Sequence, residues 1–122
     1  MSRATGFGPA LAPILALALG LLAVGCVSIP EELADHPCPD GGTTLTWENF
    51  GHDFMRSYCV HCHGGPNGYS SRALNTVEAV RVQRDRIFIN SALDNTAMPP
   101  GPDDPPRDER VKLAEWLACG AP

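Results

Sequence analysis

The sequence has few basic residues. In 122 residues, 9 Lys and Arg stand against 14 Asp and Glu, which gives a net charge of −5 with histidine neutral. A surface that binds nucleic acid needs clustered Lys and Arg, so this balance argues against such a partner. Mild acidity is compatible with steering towards a basic redox protein. It is explained as simply by solubility.

Long apolar runs and strand patterns are also lacking. The apolar stretch from Ala10 to Gly25 has about 16 residues, whereas a membrane-spanning helix needs roughly 20. The stretch follows the positively charged Arg3, and its length fits the apolar core of a signal peptide. No segment alternates convincingly as a half-buried β-strand does, and no internal repeat is evident. The sequence therefore predicts an all-α fold.

Residues 1–25 resemble the signal peptide of a bacterial lipoprotein. The segment Leu22–Cys26 resembles a lipobox, in which the thiol of Cys26 takes lipid and the chain is cut just before it. Ala23 stands where leucine is common. The resemblance implies export to the periplasmic side of a bacterial membrane, and Val27 in place of aspartate favours the outer one. Ordinary cleavage nearby and an uncleaved anchor are the alternatives.

Removal of residues 1–25 leaves 97 residues with a net charge of −6, room for one small domain. Residues 26–45 contain three prolines, two adjacent glycines and several acids without periodicity. We predict that they form a tether from the lipid anchor. The domain itself is predicted to span residues 46–122.

The strongest chemical signal is the run Cys59–His63, which reads Cys-Val-His-Cys-His and has the spacing of covalent haem attachment. Each thiol can add to one haem vinyl group, and the imidazole of His63 is then held close enough to ligate the iron. A thioredoxin-like pair, a zinc half-site or a disulfide are the alternatives. However, the helical flanks do not fit a thioredoxin, and no second pair of zinc ligands appears.

Met98 is the candidate for the second axial ligand. It follows His63 by about 35 residues in a loop stiffened by prolines, a separation that lets the chain cross the haem. Methionine is also a common core filler, which is the alternative role. Met55 lies on the helix before the haem motif and is poorly placed to reach the other haem face. His36 and His52 are distal candidates only if Met98 fails.

Two cysteines remain, Cys38 and Cys119. In an oxidising periplasm they are predicted to pair, with two free thiols as the alternative. Such a bridge would close a loop of about 80 residues and stabilise by roughly 4 kcal/mol in the chain-entropy model.

Three helices are predicted. The first is capped by Thr46 and runs to Tyr58, with aromatic residues recurring at three and four positions. The second spans about 77–93 with Thr76 as cap. The third begins at Asp108 as N-cap and ends at Cys119.

Residues 46–119 resemble the class I c-type cytochromes in their order of helix, haem motif, loop, helix, methionine loop and terminal helix. The resemblance implies a small fold of three main helices around one covalent haem c. Carried over by position, Cys59 and Cys62 are the thioether cysteines, and His63 and Met98 are the axial ligands. It also implies one-electron transfer with periplasmic redox proteins rather than catalysis.

Two further expectations come from this resemblance. Trp116 on the terminal helix is expected to pack against Phe50 or Phe54 of the first. Better-known members often place a proline about ten residues after the ligating histidine, and its carbonyl accepts a hydrogen bond from that histidine. Here the nearest proline is Pro66, so this carbonyl or another backbone carbonyl has to serve.

Two functions other than electron transfer remain open. It is also open whether an electron carrier of this kind acts alone or as the haem subunit of a complex. A haem-based module that senses a small molecule would have Met98 bound weakly or not at all. A thiol oxidoreductase would carry no haem.

Overall fold

The protein is described by a computed structural model that covers residues 1, 28–65, 70–102 and 104–122. These residues form helices, turns and loops and no strand, which confirms the predicted all-α class. The predicted signal peptide and Cys26 lie outside the described residues. Within the described ranges, no helix combines the length and apolar character needed to cross a membrane.

The first helical segment begins directly after Thr46, the predicted N-cap. The Thr46 hydroxyl accepts from the Asn49 amide at 3.2 Å, and the Asn49 side chain accepts from the Thr46 amide at 2.7 Å. A turn of π-helix, Trp47–Gly51, comes first, and helix α1, His52–Tyr58, follows it. The wider turn was not predicted, because apolar periodicity does not distinguish it from an α-helical turn.

Three more α-helices follow: α2, Val60–His63, α3, Val77–Ser91, and α4, Arg107–Ala118. The Thr76 hydroxyl caps α3 by accepting from the Ala79 amide at 3.2 Å. Pro106, not the predicted Asp108, is the N-cap of α4. Asp108 lies in the first turn instead, where a carboxylate is favoured by the helix dipole.

The first helical segment packs on α4 through aromatic rings. Trp116 is completely buried, lies 5.9 Å from Phe50 edge to face and stacks at 6.3 Å on Trp47, measured between ring centroids. The expected contact of Trp116 with Phe50 is therefore present. Gly51 makes the close approach possible, because a Cβ at that position would collide with the Trp116 ring.

Replacing Gly51 with alanine is expected to destabilise the protein by about 1–3 kcal/mol, the usual cost of overpacking. Helix propensity alone would favour alanine by about 1 kcal/mol, so a net loss reports the contact with Trp116. Urea unfolding followed by circular dichroism measures the change. The control is Gly41→Ala, since a Cβ at Gly41 meets nothing within 4 Å. Equal stability of the two variants would contradict the close crossing.

The described part of the predicted tether, residues 28–45, packs on the domain. A 3-10 turn, Leu33–Asp35, contacts α3 and α4. The ring of His36 lies 5.2 Å from that of Phe88, and the Thr43 hydroxyl donates to Glu115 at 2.6 Å. Cys38 and Cys119 form a disulfide. The folded unit therefore begins before residue 46. The sequence did not predict this, because the segment is held by single contacts that leave no periodic pattern.

Candidate functional site

The Cys-x-x-Cys-His run lies on a short helix directly after α1. The Cys59 carbonyl accepts from the amides of Cys62 at 3.2 Å and His63 at 2.9 Å, which winds the motif into one turn. Cys59 is half-buried and Cys62 is exposed, and neither thiol is in a disulfide. The two cysteines of the run therefore do not form a disulfide with each other.

A cavity of about 840 Å³ lies beside this turn. Its lining includes Cys59, Cys62, His63 and Met98, so every residue predicted to hold haem reaches the same space. The volume is within the range of about 300–1,000 Å³ typical of cofactor sites. The rest of the lining is partly apolar and partly polar: Tyr58, Leu74, Ile87, Pro99, Pro100, Ser71, Arg72, Gln83, Arg86, Asn90 and Ser91.

The imidazole of His63 is oriented by a backbone carbonyl. Its Nδ1 lies 3.1 Å from the Arg72 oxygen, and the His63 carbonyl accepts from the Leu74 amide at 2.7 Å. Because a carbonyl can only accept, Nδ1 is the donor in this contact, and in a neutral imidazole the lone pair that a metal ligand needs is then on Nε2. The carbonyl comes from Arg72, nine residues on, while Pro66 lies outside the described residues.

Met98 is held on the cavity by helix α3. Its amide donates to the Asn90 carbonyl at 2.8 Å, and its side chain is 45 % exposed. Met55, by contrast, is completely buried in the core. His36 pairs with Glu31, and His52 is an exposed residue beside Asp53.

Neither His36 nor His52 lines the cavity, and nor does Met55. Of the distal candidates considered from the sequence, Met98 alone shares the space with His63. In the described part of the chain, no three His, Cys, Asp or Glu side chains gather as ligands of a single metal ion. The two thiols and the imidazole do not converge as in a zinc site.

Burial controls the chemistry of two groups at the cavity. It raises the pKa of the Cys59 thiol to about 12. It is also the largest cause of the raised pKa of Tyr58, followed by a hydrogen bond to Glu109. Both groups therefore remain protonated around neutral pH, and Tyr58 joins the end of α1 to α4.

The two thiols of the run are expected to differ in reactivity. At pH 9 a thiol with a pKa of about 12 is only about 0.1 % thiolate, the reactive form, so Cys59 reacts slowly with iodoacetamide. Exposed Cys62 reacts first. Peptide mass spectrometry of the haem-free chain measures both rates, and urea serves as the control because unfolding removes the difference. Equal rates in the folded chain would contradict the burial of Cys59.

Sequence reasoning missed the residues that contact His63 and Met98 and hold them in place. The Arg72 carbonyl leaves no signal, since every residue has one. Arg110 does leave a signal: it shares a face of α4 with Leu113, Ala114 and Leu117 at helical spacing, and it is only 3 % exposed. An arginine in the middle of an apolar face needs buried partners.

No protein-family model, curated protein or solved structure matches the chain.

Proposed function

We propose that this protein holds one haem c and transfers single electrons. Cys59 and Cys62 would attach the haem, and His63 and Met98 would ligate its iron. The observation that carries the proposal is that all four residues line one cavity of about 840 Å³. They come from two segments separated along the chain, which sequence spacing alone does not bring together.

A haem in this cavity would supply reversible one-electron chemistry at its iron. The chain's own residues set the conditions for it. The Arg72 carbonyl fixes the proton on Nδ1 of His63 and so fixes the ring. The thioether of Met98 would favour the ferrous state relative to a second histidine. Leu74 and Ile87 cover the cavity with apolar surface.

The proposed setting is the periplasmic side of a bacterial membrane, with the outer membrane favoured by Val27. Cys26 would carry the lipid that anchors the chain there. The partners would be periplasmic redox proteins and not nucleic acid. The protein would act on them alone or as the haem subunit of an oxidoreductase complex. The acidic balance of the chain, 14 Asp and Glu against 9 Lys and Arg, is compatible with a partner that has a basic face.

Redox titration of the haem-loaded protein tests the proposal. We expect a single reversible wave with the slope of one electron, and little binding of carbon monoxide by the ferrous form because Met98 occupies the distal position. Rapid carbon monoxide binding would favour the sensing module instead. A chain that attaches no haem under c-type assembly would contradict both.

A further inference from the structure

We infer that Arg110 is a positioning residue that holds Met98 where it can ligate iron, an inference that rests on the proposed function. Arg110 lies on α4 and does not line the cavity. It acts on Met98 through the backbone of the loop between α3 and α4.

The guanidinium of Arg110 gathers carbonyls from the whole length of that loop. Nη1 donates to Ser91 at 2.7 Å, to Asn95 at 2.8 Å and to Met98 at 3.3 Å. Nε donates to Pro105 at 3.1 Å. One side chain therefore joins the last residue of α3, Met98 itself and the approach to α4.

Burial makes these contacts costly to replace. Arg110 is 3 % exposed, and its Nη2 has no hydrogen-bond partner among the described residues, with an Asp104 carboxylate oxygen at 3.8 Å. A buried charge needs its donors satisfied, so the guanidinium depends on the loop carbonyls as much as the loop depends on it. The guanidinium and the four carbonyls that it contacts therefore hold one another in place.

The effect should be local to Met98, because the earlier part of the loop has other anchors. The Asn95 side chain donates to the carbonyls of Glu31 at 2.9 Å and Phe88 at 3.0 Å and accepts from the Glu31 amide. Beyond Asn95, Met98 is held by the hydrogen bond from its amide to the Asn90 carbonyl and by the hydrogen bond that its own carbonyl accepts from Arg110. Removing the guanidinium therefore loosens the segment that carries the ligand.

The test compares Arg110→Lys with Arg107→Lys in the haem-loaded protein. Lysine keeps the charge but lacks the planar fork that reaches several carbonyls at once. Arg107 is a matched control on the same helix: it is exposed, it donates to the Asp94 carboxylate at 2.8 and 3.1 Å, and it makes no hydrogen bond to a carbonyl of the described loop residues. Each variant is measured for covalent haem, for the near-infrared sulfur-to-iron band of the ferric form and for imidazole binding.

We expect Arg110→Lys to keep covalent haem but to lose much of the sulfur-to-iron band and to bind imidazole at least about tenfold more tightly. Arg107→Lys should match the wild type in all three. An Arg110→Lys protein with the wild-type band and imidazole affinity would overturn the inference alone. A wild type with covalent haem but no such band would overturn the role of Met98, and with it the inference.

Hydrogen exchange of the wild-type protein keeps the inference testable if Arg110→Lys does not fold. With Met98 held as described, its amide should exchange at least about 100-fold more slowly than that of exposed Asp104 in the same loop. Equally fast exchange of the two amides would overturn the inference.

Discussion

Replacing Met98 with alanine is expected to remove the sulfur-to-iron band and to lower the reduction potential by on the order of 100 mV or more. Axial ligation sets haem potentials over about 0.8 V, and a thioether raises the potential because it stabilises ferrous iron. The haem should stay attached, since Cys59 and Cys62 are untouched. Carbon monoxide should then bind the ferrous form readily, because the distal position is open.

Met55→Leu is the matched control for this variant. Met55 is completely buried and does not line the cavity, so its replacement should change the stability by less than about 1.5 kcal/mol and leave the band in place. Near-infrared absorption and potentiometric titration of the two variants separate ligation from folding. A Met98→Ala protein with an unchanged band and potential would contradict Met98 as the ligand.

Replacing both Cys38 and Cys119 with serine is expected to cost about 4 kcal/mol of unfolding free energy. The disulfide joins residues 81 apart, and closing so long a loop removes much of the entropy of the unfolded chain. The domain is small and buries a limited core, so this loss is a large share of its stability. Urea unfolding of the haem-loaded protein measures it.

Wild-type protein with the disulfide chemically reduced is the control for the double variant. The haem thioethers resist thiol reductants, so the reduced wild type and the variant should unfold at the same urea concentration. A difference between their unfolding concentrations would mean that the serine side chains themselves cause part of the loss of stability. A loss below about 1 kcal/mol in both would contradict a stabilising role of the bridge.

The helices could be predicted from the sequence because their signals are local. Thr46 and Thr76 cap helices through bonds to residues three positions on, and aromatic spacing marks the first helix. The predicted cap of α4 was wrong: the N-cap is Pro106 and Asp108 lies in the first turn. A carboxylate is favoured at both positions, so the residue type alone does not distinguish them.

The parts that escaped prediction depend on contacts between distant residues. The described part of residues 26–45 reads as a tether, yet its Glu31 backbone bonds to the Asn95 side chain, 64 positions away. The carbonyl that orients His63 is a backbone group of Arg72 without a residue-type signal. The four proposed haem-binding residues, by contrast, could be selected from the sequence, because thioether attachment and iron ligation would require Cys, His and Met.

The most direct test of the account is the absorption spectrum of the chain matured with a c-type haem assembly system and recorded in the ferric state into the near infrared. We expect haem that survives acid-acetone extraction, together with the weak sulfur-to-iron band of methionine ligation. Haem that resists extraction should be lost only where Cys59 and Cys62 are replaced, whereas replacing Met98 should remove the band and leave the haem attached. A chain that carries no haem, or releases it on extraction, would contradict the central claim.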